Sequence, residues 1–234
     1  MKIYVGLENN FNGRSLAWAL DYPGCFSYGK DATEAVVGIP RALIDYQKRI
    51  EKYTDKSWFD LGDFDVRLVE LFEDYHINDM YEWAEEGRTI QAWYRHDWKP
   101  LTQQDTEHIG LLLKWSRSEI LEILNPLSEE QLAFQPEGER WSILGIAAHV
   151  GTTEWWLLDR IGMASIPRAS LVPDVKERMQ QTRTVVESVL PELAGLEKVV
   201  GKEGEFWSPR KVMRRLLWHE MDHIQHIQKL ISQI

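Results

Sequence analysis

The chain has a single cysteine, Cys25, in 234 residues. That excludes an internal disulfide and fits a reducing compartment. Cys25 reads as a small buried hydrophobe rather than a reactive thiol. Positive charge is also scarce, with 27 Lys and Arg against 37 Asp and Glu, a net charge of −10. No basic stretch offsets it, so neither nucleic acid nor an anionic membrane surface is an expected partner. No run approaches the roughly 20 apolar residues of a membrane span. The start MKIYVGLENN lacks the basic end and apolar stretch of a signal peptide. A cytoplasmic protein with a small-molecule substrate is the expectation.

Hydrophobic residues make up 44% of the chain and tryptophan occurs eleven times, which is enough for a sizeable core. The length suits one large domain or two ordinary ones, and the patterning changes near residue 100. Before it come strand-like segments at 2–8, 15–21, 25–29, 65–75 and 89–97, rich in Val, Ile, Tyr, Phe and Trp. A helix is predicted among them over 31–53. Asp31 and Glu34 are spaced as a capping box, and Ala35, Ile39, Leu43 and Tyr46 recur at helical spacing. Gly38 and Pro40 predict a kink or a short first helix. The first domain, 1–97, is therefore read as α+β.

After Pro100 helices are predicted over 102–125, 142–161, 174–200 and 208–233, giving an all-α four-helix bundle over 98–234. The join 162–173 is the long one and predicts a crossover between the second and third helices. WSILGIAAHV (141–150) and WSPRKVMRRLLWHE (207–220) both begin Trp-Ser. In each, the serine suits an N-cap and the tryptophan can staple the first turn.

Three of the seven histidines lie in the WHEMDHIQHI stretch of 218–227. His219 and His223 share a helix face and can offer imidazoles to one ion. His226 is about 10.5 Å along the axis from His219, too far for both to bind one ion comfortably, and the His223/His226 pair is the lesser option. His219–His223 also spells H-E-x-x-H, the metal-binding sequence of zincin proteases. Zincins draw their third ligand from downstream, and IQHIQKLISQI (224–234) has neither the required glycine turn nor a carboxylate. A zincin-type metallohydrolase is the remote alternative. Glu220, about 100° round the helix from His219, is poorly placed for the zincin base.

A third ligand must come from upstream, and His149 on the second capped helix is the candidate. Three neutral imidazoles leave positions open for water or substrate, as catalytic sites do. Glu154 or an acidic residue of the first helix could supply a fourth ligand and close the site. Arg215, one turn before His219, is either a solvated charge or a receiver of a substrate carboxylate.

These features together resemble the DinB superfamily of metal-binding four-helix bundles: the helix 102–125, the WSILGIAAHVGTTEWWLLDRIG block, the long join and the HEMDHIQHIQ helix. The resemblance implies a metal triad at His149, His219 and His223, a divalent ion such as zinc or nickel, and dimerisation. It also implies a chemistry, because several relatives transfer or isomerise substrates with a low-molecular-weight thiol. Where family members often continue with Arg-Gly-Gln after the last ligand, this chain has Ile224, Gln225 and His226, so a substrate-binding role for His226 is an expectation only. Residues 1–95 resemble, more faintly, the HicB-like domain in LAWALDYPGCFSYG and the DATEAVVGIPRAL helix. The expected protein is a metal-dependent enzyme of thiol-transferase type that activates a thiol or water. The alternative is a non-catalytic, metal-stabilised binding module.

Overall fold

Alternation in KIYVGLENNF buries Ile3, Val5 and Leu7 on one side of β1 (Lys2–Phe11). Phe11 pairs with Arg14 at the start of β2 (Arg14–Ala19). Asn12 and Gly13 between them both have positive φ, as a two-residue hairpin turn of primed type requires. The computed structural model describes residues 1–55 and 57–234. They divide into two units, 1–99 with 201–207, and 100–200 with 208–234.

In the first unit, β3 (Phe26–Gly29) is followed by α1 (Ala32–Val37) and α2 (Ile39–Tyr53). Asp31 accepts from the Glu34 amide at the start of α1, and the break between the helices falls at Gly38. The helices return the chain to β4 (Asp65–Glu73), which pairs parallel to β1. The sheet is mixed, in the order β3-β2-β1-β4. A second small sheet has β5 (Tyr75–Ile77) between β6 (Trp83–Ala84) and β7 (Arg88–Ile90).

The strand predicted over 89–97 is thus a correction, because only its start is β. Arg95–Trp98 form a 3₁₀ turn, held where the Asp97 carboxylate accepts from the Tyr94 amide. The alternation in that segment comes from aromatic packing. Trp93 lies 5.1 Å from Trp98 and 5.8 Å from Phe206 between ring centroids.

The second unit holds α3 (Gln103–Leu124), the short α4 (Glu129–Leu132), α5 (Ile143–Arg160), α6 (Val175–Val189) and α7 (Pro209–Ile231). The predicted N-caps are in place: Ser142 accepts from the Gly145 amide and Ser208 from the Lys211 amide, each contact contributing about 1 kcal/mol. The helix expected to run to residue 200 ends at Val189. Pro191 cannot continue its ladder, and a 3₁₀ turn, Leu190–Leu193, leads to Gly195 at φ 72°. A hairpin missing from the sequence reading follows, β8 (Val200–Lys202) and β9 (Glu205–Trp207).

Ile120 and Leu124 of α3, Ile146 and Val150 of α5, Met179 of α6 and Ile227 of α7 share one core cluster. Gly151 allows α5 and α6 to meet closely, since a Cβ there would lie 3.4 Å from Met179 Cα. Among the described residues no helix is long and apolar enough to cross a membrane.

Candidate metal centre

His149 lies on the second turn of α5, and His219 and His223 lie one turn apart on α7. Packing of these helices brings the three side chains together. His219 Nε2 is 3.0 Å from His149 Nε2, and His223 Nε2 is 3.1 Å from His219 Nε2. One ligating nitrogen from each can be chosen so that all lie within 4.8 Å of one another, and among the described residues no carboxylate or cysteine joins them. Nitrogens bound tetrahedrally to zinc at its usual bond length would sit about 3.3 Å apart.

Burial lowers the pKa of all three. The Arg140 charge adds to it at His149, and His223, His149 and Arg215 add to it at His219. For His223, burial with His149 and His226 brings the value down to about 3. Neutral imidazoles carry lone pairs, and one proton can bridge only two such nitrogens at a time. A single cation satisfies all three. The donor set therefore fits a divalent ion such as zinc or nickel.

Aromatic and cationic groups frame the triad. Trp141 stacks on His149 with centroids 4.4 Å apart, and the Arg140 guanidinium lies 4.5 Å from the Trp141 ring centre. Trp218 lies 6.0 Å from the His219 ring, with the buried Arg215 guanidinium 4.6 Å from its own centre. Arg215 is 4% exposed, so it is not the solvated charge that one reading of its position expected. Arg140 was not singled out from the sequence, which marks Trp141 only as a staple for the turn capped by Ser142.

His226 is engaged elsewhere. Its Nε2 is 3.0 Å from Glu139 Oε2, while its ring stacks 6.0 Å from that of His223.

Two carboxylates that the sequence placed near the metal are also committed elsewhere. Glu154, considered as a fourth ligand, instead accepts from Arg183 Nε at 2.9 Å and Thr182 Oγ1 at 2.9 Å. Glu220 accepts from Arg117 Nε and Arg183 Nη2, both at 2.7 Å, and from Ser116 Oγ. Burial alone would raise its pKa, but the Arg183 and Arg117 charges and the Ser116 hydroxyl override that and hold it at about 2. A carboxylate so engaged is no zincin base.

Residues 112–227 match the family model of the DinB superfamily. This segment is a DinB-superfamily domain. The match spans all three histidines as well as Arg117, Glu154, Arg183 and Glu220. Neither the curated proteins nor the solved structures include a match to the chain. Within the DinB segment, α3 and α5–α7 are the long helices, with α4 and a 3₁₀ turn in their joins.

Proposed function

We propose that this DinB-type protein binds one divalent ion through His149, His219 and His223 and uses it to activate a small thiol or water. The observation that carries this reading is the convergence of three neutral imidazole nitrogens with, among the described residues, no carboxylate or cysteine as a fourth ligand beside them. A divalent ion there would supply Lewis acidity, holding a thiol or water deprotonated near neutral pH.

The protein's own groups favour a thiolate. The charges that perturb the triad are Arg140, Arg215 and the neighbouring imidazoles, with no carboxylate among them. An anion entering this field is attracted by the guanidiniums as well as by the ion. The indole of Trp141 stacks on the His149 ring and that of Trp218 lies edge-on to the His219 ring, so apolar surface adjoins the triad. On this basis the four long helices are read as the DinB bundle, with the 161–174 join as its crossover. The β-β-β-α order of 1–37 supports a HicB-like fold for the first unit, with no antitoxin role assigned to it.

Cobalt substitution tests the thiol. Adding a low-molecular-weight thiol to cobalt-loaded protein should produce a sulfur-to-metal charge-transfer band, and His149→Ala should remove it. Cobalt-loaded protein that gives no band with several thiols supports the non-catalytic module instead.

A further inference from the structure

The glutamate of the H-E-x-x-H stretch takes no part in the reading above, yet it is among the most buried charges in the protein, with 1% of its surface exposed. With Arg117, Glu154 and Arg183 it forms a closed cluster of four charged side chains from four helices. Arg117 on α3 reaches Glu154 on α5 at 2.9 Å and Glu220 on α7 at 2.7 Å. Arg183 on α6 reaches the same two carboxylates, at 2.5 Å and 2.7 Å.

The arrangement is reciprocal. Ser116 and Arg117 serve Glu220, and Thr182 and Arg183 serve Glu154. Arg117 also donates to the Met179 carbonyl on α6, and Arg183 to the Leu113 carbonyl on α3. Each guanidinium therefore staples α5 to α7, the two helices that carry the histidines. Glu220 adjoins His219 directly, and Glu154 is five residues from His149, about 7.5 Å along the axis.

Stability is a poor explanation for such a cluster. Desolvating four charges offsets much of their attraction, and well-packed apolar residues often do as well or better. Planar guanidinium forks do, however, fix distances and orientations that apolar packing leaves looser. A three-histidine site shared by two helices needs that kind of fixing.

We propose that Arg117, Glu154, Arg183 and Glu220 are positioning residues of the metal centre, setting the separation and rotation of α5 and α7 so that His149 meets His219 and His223. The proposal rests on the metal-binding reading above. Partners behind the ligands of metal sites typically change affinity 10- to 100-fold when altered.

The test is zinc affinity of the full chain, measured by competition with a chromophoric chelator, alongside the thermal midpoint of the metal-free protein. Arg183→Lys and Glu154→Gln should weaken zinc binding about 10- to 100-fold. Ser116→Ala and Thr182→Val each remove a single hydroxyl contact, so they test the same idea should the charge variants fail to fold. They should weaken zinc about threefold, the effect of one lost hydrogen bond of ordinary strength. Leu230→Ala, a core change on α7, is the control: it should lower the thermal midpoint while leaving zinc affinity unchanged. Cluster variants that all bind zinc like the parent would overturn the inference and leave the metal reading intact. Equal affinity losses in Leu230→Ala and the cluster variants would overturn it too, since loss of stability would then be the cause. A parent chain that takes up no zinc removes the metal reading itself, and the positioning role with it.

Discussion

His219 Nε2 and His149 Nε2 lie 3.0 Å apart although 70 residues of chain separate them. His226, only seven residues from His219, pairs with Glu139 instead. Distance along the chain is thus a poor guide to this site, and helix packing decides its membership.

The metal assignment predicts a sharp contrast between these histidines. His219→Ala should weaken zinc or nickel binding by on the order of 100-fold or more, since even partners behind a ligand are worth 10- to 100-fold. His226→Ala should stay within a few-fold of the parent. Elemental analysis and chelator competition on untagged protein check both, and equal losses with helical content intact would remove His219 from the ligand set.

Arg140 should bias the centre toward anions. Arg140→Gln should weaken binding of 3-mercaptopropionate about twofold to fivefold, the range open to an exposed charge contact. Binding of the uncharged 2-mercaptoethanol should hardly change. Calorimetry on zinc-loaded protein measures the pair, and identical shifts for both thiols would mean that Arg140 does not sense charge.

Acid should act on Glu220. Its pKa is about 2 in the folded chain against an ordinary value of 4.5. Its contribution is therefore complete above about pH 4.5 and is lost as the pH falls toward 2. The loss is on the order of 3 kcal/mol. Urea midpoints of the metal-free parent should fall across this window. Glu220→Gln should be less stable at pH 7, by about 3–5 kcal/mol for a broken buried pair, and its midpoint should fall less steeply with acid. Parallel pH profiles would show that Glu220 is not the group responsible.

Cys25 should be inert in the folded protein. It is buried, and burial with the nearby Asp45 charge pushes its pKa well up, so little thiolate forms. Ellman's reagent should react with it at least about 100-fold faster in denaturant than in buffer. Rapid labelling of the native protein would show the first unit opening around it.

The sequence revealed most where a local rule decides the structure. Ser142 and Ser208 precede apolar runs and do cap α5 and α7, and the four-residue spacing of His219 and His223 does place them on one face. It misled where a helical pattern outlasted the helix. The apolar spacing beyond Val189 continues through Leu190 and Leu193, but Pro191 and Gly195 stop the ladder. It was silent on the ion cluster. Arg117, Glu154 and Arg183 each look like an ordinary surface charge, and Glu154 was considered as a ligand. The one available signal was the repeated pairing of a hydroxyl residue with arginine, Ser116-Arg117 and Thr182-Arg183, which gains meaning only once α3 and α6 are placed beside the two glutamates.

α7 carries two of the three histidines and one carboxylate of the cluster, and it follows α3, α5 and α6 in chain order. A nascent chain emerging from the ribosome therefore presents only His149 from the triad while the earlier helices are being made. An isolated imidazole is a weak trap for zinc or nickel. On the metal-binding reading proposed above, loading would wait until α7 has been synthesised and docked, and the ion could not serve as a template for the helices that precede it.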